Sequence, residues 1–238
     1  MAFEDLRGRD GNVVISKSRV GLVLRPYTIP VDANTADQRT IRGYFGKAAA
    51  TFKELGASQV TAWEQYASTL SERDPVTGET YSPTAINVYV GLGTKYLQVT
   101  PGGILATDPP TGSFEGDTLV ITASGGPNQV TFSAGAANAT GVTTELLLQR
   151  LASKNREPFP YRYDSQAFHV FTSSPTPQVV DAPEGWYAAA YRFVELATGR
   201  ATGIYEIPGV LSTLSMVQDQ AKRKAPRRAK ASARKKAA

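Results

Sequence analysis

The chain has no cysteine and one histidine among 238 residues. Without cysteine there is no disulfide, no thiolate nucleophile and no Cys-based zinc site. A lone histidine, His169, excludes a metal centre with two or more His ligands. No apolar run reaches the roughly 18 residues that read as a transmembrane helix. The N-terminus, MAFEDLRGRDG, is charged and lacks the apolar stretch of a secretory signal, so no classical export is expected. Nucleotide loops of the G-x-x-x-x-G-K-[ST] type, G-x-S-x-G elbows and EF-hand spacings are missing as well. No cofactor is expected.

The last lack is of acid in one place. From Ala221 to Ala238 the chain reads AKRKAPRRAKASARKKAA, with nine basic residues and no Asp or Glu. The net charge is +5, yet with those nine set aside 17 basic residues face 21 acidic ones, so the rest carries about −4. One short segment holds the whole positive balance, as in a chain with an interaction arm.

What is present reads as an α+β protein. Apolar content of 41% and charged content of 20% fit a globular chain. The runs VVIS (Val13–Ser16) and VGLVLRPY (Val20–Tyr27) predict an extended N-terminal hairpin within residues 1–33. A helical region is expected over 34–100. Thr35 and Gln38 form a capping box, and Ile41, Tyr44, Phe45, Ala48, Phe52 and Leu55 make one helical face ending at Gly56. Ser58 is expected to cap a second helix with Val60, Trp63, Tyr66, Ala67 and Leu70 inward. ERDPVTGETYSP reads as a polar loop. Ser82-Pro83 predicts a third helix from Pro83 to about Leu97, with Ile86, Tyr89, Val90 and Leu97 on its face and Gly91 and Gly93 as terminating residues.

Pro and Gly then crowd Thr100–Phe114, so residues 101–115 read as a linker. From 116 to 210 the period is that of strands: DTLVITAS, QVTFSAG, TTELLLQRLAS, QAFHVFTS, WYAAAYRFVEL and ATGIYEI. Turns such as Gly125-Gly126-Pro127-Asn128 and Ala197-Thr198-Gly199 separate several of them. Short strands at this spacing predict an antiparallel β-sandwich. LSTLSMVQDQ (Leu211–Gln220) predicts a short helix leading into a disordered basic tail, together residues 211–238.

Few residues could carry chemistry. His169 on a strand alternates with Phe168 and Val170 and reads as an exposed or hydrogen-bonded strand histidine. Glu115 and Asp117 lie two apart at an expected strand start and read as edge solubility. The aromatics Tyr44, Phe45, Trp63 and Tyr66 fall on apolar helical stripes and read as core before base-stacking platform. Trp186 opens a strand as core or interface. The residues therefore predict no enzyme, with a hydrolase in the sandwich as a third reading.

Two stretches carry resemblances. QRTIRGYF, ELGASQVTAWEQYAS and YSPTAINVYV resemble a pattern in uncharacterised bacteriophage and prophage proteins. There a GNVV-like hairpin precedes a helix with Gln, Arg and Phe, a Leu-(Ser/Thr)-x-x-Gln-x-x-x-Trp helix, and a third helix ending in an Asn-containing turn. Leu55, Ser58, Gln59 and Trp63 stand at the second element, with Gln59 one place early, and GLGTKY replaces the Asn turn. GWYAAAYRFVELATGRATGIYEI resembles the last two strands of a fibronectin type III or immunoglobulin-like module, with Tyr187, Tyr191 and Phe193 in alternation.

The resemblances imply a virion component, made in the host cytoplasm, with a homo-oligomeric partner or other virion proteins. The tail has no aromatic residue for stacking and no means of sequence readout, so it is expected to neutralise phosphates of packaged nucleic acid. Lys222, Arg223, Lys224, Arg227, Arg228, Lys230, Arg234, Lys235 and Lys236 are the candidate nucleic-acid-binding residues. The alternative is a nucleoid-associated or adaptor protein of the bacterial cytoplasm with the same arm.

Overall fold

The computed structural model describes residues 8–18, 21–28, 32, 34–73, 79–159, 162–173 and 176–213. The chain divides into a unit ending at Thr40 and a larger one beginning at Ile41. The first holds a three-stranded antiparallel sheet in the order β1 (Gly8–Asp10), β2 (Val13–Ser18), β3 (Gly21–Pro26). The β2–β3 pair is the hairpin expected from VVIS and VGLVLRPY. β1, with the sequence GRD, carries no apolar residue by which pattern could find it.

Helix α1 (Ala36–Glu54) spans the division. The expected capping box is formed: the Thr35 N–H donates to Gln38 Oε1 at 3.2 Å, and the Gln38 N–H to Thr35 Oγ1 at 3.3 Å. In α2 (Ala57–Thr69) the cap is Gly56, not Ser58, which is already helical. The chain is extended at Gly56, and the Gln59 side chain accepts the Gly56 N–H at 2.9 Å. α3 (Ala85–Val99) starts two residues after Pro83, with Thr84 as its cap residue. Between α2 and α3, in the stretch expected as loop, β4 (Glu72–Arg73) pairs with β5 (Thr80–Tyr81).

The three helices close on a core of Ala48, Trp63, Ala67, Val88, Tyr89, Val90 and Leu97. Leu105, from the stretch after α3, completes it. Gly91 and Gly93 do not end α3, which continues to Val99. Gly93 is there for close packing: a Cβ on it would lie 3.1 Å from Leu105 Cδ2 and 3.2 Å from Ala48 Cβ. The stretch after α3 is held by side chains. Trp63 Nε1 donates to the Thr107 carbonyl at 2.9 Å, Lys47 Nζ to that of Gly103 at 2.9 Å, and Arg200 to that of Gly112 at 2.7 Å.

The β-rich half contains two antiparallel sheets. One has the order β10 (Gln178–Asp181), β7 (Gln129–Ala134), β6 (Ile121–Gly126). The other has the order β12 (Tyr205–Ser212), β11 (Trp186–Glu195), β8 (Val142–Leu151), β9 (Asp164–His169). Both feed one apolar cluster. Ile121, Val130, Phe132 and Val180 come from the first sheet, and Leu146, Leu148, Tyr187, Ala189, Tyr191 and Phe193 from the second. The alternation expected of Tyr187, Tyr191 and Phe193 places all three in this cluster. β10 was not expected, because its four residues lie in a Pro-rich stretch. The helix expected from Leu211 gives way to strand: Leu211 and Ser212 finish β12 opposite Tyr187 and Trp186, where Leu211 packs on the cluster. Leu214–Gln220 lies outside the described residues.

β8 is buried along nearly its whole length. Val142, Leu146 and Leu148 face the cluster, whereas Glu145, Leu147 and Gln149 are buried on the opposite face. A strand covered on both sides usually reads as a near-continuous apolar run, but in TTELLLQ only Leu146–Leu148 are apolar, and Thr143, Thr144, Glu145 and Gln149 are buried beside them. α3 reaches that second face through Lys95. The turn after β11 also meets α3: Gly199 has φ +76°, and a Cβ there would lie 2.3 Å from the Leu92 carbonyl oxygen. Only glycine fits that position.

Candidate functional site

The nine basic residues from Lys222 to Lys236 lie outside the described residues. The site within the folded body is built on α3, which presents one side to a groove and another to the sheet.

The groove holds about 510 Å³ and is lined by Phe45 and Ala49 of α1 and by Ile86, Val90, Thr94 and Lys95 of α3, among others. Ile41, Phe45 and Ile86, expected in the core, are exposed, with Phe45 at 58%. The geometric reason is that the side of α1 bearing Tyr44, Ala48, Ala49, Phe52 and Leu55 packs on the helical core. Ile41 and Phe45, four residues apart, share a neighbouring strip of α1 that the described residues leave exposed. Large apolar side chains grouped beside a concave helix–helix seam are the usual material of a protein contact surface.

Behind the groove, α3 meets β8 and β11 through charge. Glu145 is fully buried, and its carboxylate accepts from Lys95 Nζ at 3.0 Å and from Arg192 Nε at 2.6 Å. Burial alone pushes this carboxyl up. The Arg192 hydrogen bond and the charges of Lys95 and Arg192 outweigh it, and the carboxyl stays below its ordinary value. Desolvation lowers the Lys95 ammonium, against the pull of Glu145. Lys95 Nζ also sits 5.3 Å from the Phe168 ring centroid. Two cations on one carboxylate leave one positive charge in excess, on groups that reach the surface only in part. Such an arrangement locks the helix to the sheet. It does not resemble a poised acid–base pair, because the carboxylate has no neutral state to offer near neutral pH.

A second ion pair fixes the turn after β11. Arg200 Nε and Nη2 donate to Glu195 at 2.9 and 3.1 Å. Burial raises the Glu195 carboxyl, and hydrogen bonds from Arg200 and Thr198 bring it below its ordinary value. Beside this turn lies a cavity of about 220 Å³ lined by Trp63, Tyr89, Tyr96, Asp108 and Pro109, among others. The buried Tyr89 hydroxyl has no hydrogen-bond partner among the described residues, and burial raises its pKa.

The remaining candidates resolve individually. His169 is half-buried, its ring edge-on to Phe171 at 4.6 Å, and desolvation lowers its pKa. Glu115 and Asp117 are not a strand-edge pair, since β6 begins only at Ile121. Glu115 is exposed. Asp117 accepts from the N–H groups of Leu119 and Ala139 at 3.3 and 2.7 Å and so ties two loops together. Trp63 is core, and Tyr44 and Tyr66 pack against it, whereas Phe45 does not. Trp186 is half-buried on β11. Among the described residues, no group of three or more His, Asp or Glu could hold a metal ion, and no helix is long and apolar enough to cross a membrane.

Pattern missed the Lys95–Glu145–Arg192 cluster. Its one signal was a glutamate adjoining the Leu146–Leu148 run, which demands a partner if buried without saying which. No family model, curated protein or solved structure matches this chain.

Proposed function

We propose that the protein is a structural component of a bacteriophage or phage-like particle. Its body makes subunit contacts, and its C-terminal arm binds packaged nucleic acid without sequence preference. The observation that carries this reading is the partition of charge: nine cations after Asp219 on a body of about −4. A basic body would bind phosphate everywhere. Here the positive excess lies in the arm, which supports phosphate binding there.

The exposed strip of Ile41 and Phe45 beside the α1–α3 groove supports an assembling body, with a second copy or another particle protein as the occupant. The strand orders support a fibronectin type III-like sandwich as the β-rich half. Lettered A, B, C, C′, E, F, G in chain order, β6 to β12 give one sheet E-B-A and another G-F-C-C′. The hydroxyl of Tyr187, at the start of the sixth strand, donates to the Pro183 carbonyl at 2.8 Å. This is the tyrosine-corner arrangement of such modules. A module of this kind implies no chemistry by itself.

The test is nucleic-acid binding by the full chain and by a chain ending at Gln220, over a salt series. The arm should give a slope of log K against log salt of about −6 to −8 on duplex DNA, and the shortened chain should lose it. Equal binding by both chains would sink the arm's role. Sedimentation separates the particle component, which forms large symmetric assemblies, from a nucleoid or adaptor protein, which stays small.

A further inference from the structure

The connection between β8 and β9 carries a feature that neither core accounts for. It reads ASKNREPFPYRY, Ala152–Tyr163, with Arg150 at its root. Arg150, Lys154, Arg156 and Arg162 are all exposed, and within the connection only Glu157 opposes them. At its centre the Phe159 ring is 43% exposed. The guanidinium carbons of Arg156 and Arg162 each lie 5.0 Å from that ring's centroid.

The position of the ring is fixed from below. The Phe159 N–H donates to Oε1 of Gln149, a buried residue of β8, at 2.9 Å. The Arg162 N–H closes a turn on the Phe159 carbonyl at 3.1 Å. Arg150 is tied to the Glu184 carbonyl at 3.2 Å. A phenyl ring and two guanidinium groups are thus gathered at one exposed point of an otherwise acidic body, on a loop pinned to the most buried strand.

We propose that this loop is a contact site for single-stranded nucleic acid. Lys154, Arg156 and Arg162 would neutralise phosphates. An unpaired base would stack on the Phe159 ring or on a guanidinium plane, which every base can do because every base has a π-face. Bases inside a duplex are already stacked on each other and offer no free face, so the loop discriminates single strands from duplex. The basic arm has no aromatic residue and cannot make that distinction. The site lies on the folded body and is independent of the arm.

The experiment compares fluorescence-anisotropy binding of a labelled oligothymidylate and a duplex of equal length, using the full chain and its Phe159→Ala, Phe159→Leu and Arg156→Ala/Arg162→Ala variants. Both Phe159 variants should weaken oligothymidylate binding about tenfold and leave duplex binding within about twofold. The double arginine variant should flatten the single-strand salt slope by about 1.4. An oligonucleotide carrying 5-iodouracil should cross-link to the loop. Equal losses on both ligands, no loss on either, or cross-links confined to the arm would overturn the proposal. So would displacement of oligothymidylate by polyglutamate from the wild type but not from the arginine variant, which would assign the loop to an acidic protein. The ratio between ligands is read on the full chain, so failure of the arm's role leaves this test intact.

Discussion

Glu145 is the residue on which the junction of helix and sheet depends. Its carboxylate is fully buried, and both of its cations are less than a third exposed. Glu145→Gln would leave Lys95 and Arg192 close together with no counter-charge. The expected cost is about 2–4 kcal/mol in urea unfolding, below the largest values for buried pairs because the cations keep some solvent. Replacing all three with apolar residues of similar volume should cost less than the single change, since no charge is then stranded. The pH dependence has a definite sign. The folded-state carboxyl lies below its ordinary 4.5, so the unfolded chain takes up protons first as pH falls. The stabilisation is complete above about pH 4.5 and is lost as pH drops through the lower folded-state value. Wild type should lose stability across that acid window, and Glu145→Gln should show a shallower acid limb in the same titration.

At the scale of the element, α3 contains a paired control. Gly91 and Gly93 both sit inside the helix, where Ala is intrinsically better by roughly 1 kcal/mol. A Cβ at position 91 meets nothing within 4 Å, so Gly91→Ala should raise stability by up to about 1 kcal/mol. A Cβ at 93 presses on Leu105 and Ala48 at 3.1 and 3.2 Å. Crowding of that kind costs about 1–3 kcal/mol, so Gly93→Ala should be neutral to destabilising. Thermal melts of the two variants decide the point, and a gain of equal size at both sites would mean that α1 and the Leu105 segment yield easily. The sequence made both glycines look like breakers. Only the approach of α1 and the chain after α3 distinguishes them.

For the whole molecule, the question is what the exposed strip on α1 touches. Phe45 makes no part of the helical core and is 58% exposed. Phe45→Asp should therefore change monomer stability by no more than about 0.5 kcal/mol. If the α1–α3 groove is a subunit contact, the same variant should lower the assembly state in sedimentation velocity at matched concentration. Unchanged sedimentation would remove the groove from the assembly surface. The full chain is the right material, because the arm's nine cations repel one another and bear on how copies pack.

Some of this was fixed by local chemistry and needed no fold. The capping box at Thr35, the stripe from Trp63 to Leu70, the alternation of Tyr187, Tyr191 and Phe193 and the turn at Pro127-Asn128 depend on neighbours a few residues away, and a linear pattern records them. The segregation of charge into the last 18 residues is likewise a property of order along the chain. What tertiary structure decided are the choices between equivalent local patterns. Ile41 and Phe45 fit a helical stripe as well as Tyr44 and Ala48 do, and only the placement of α2 and α3 determines which is covered. Leu211 could have begun a helix, but β11 offered it a partner opposite Tyr187 and an apolar cluster to enter. Lys95, Glu145 and Arg192 lie 50 and 47 residues apart in sequence. Their pairing exists only because a helix is laid across the second face of a strand, where an unpaired carboxylate could not have remained ionised.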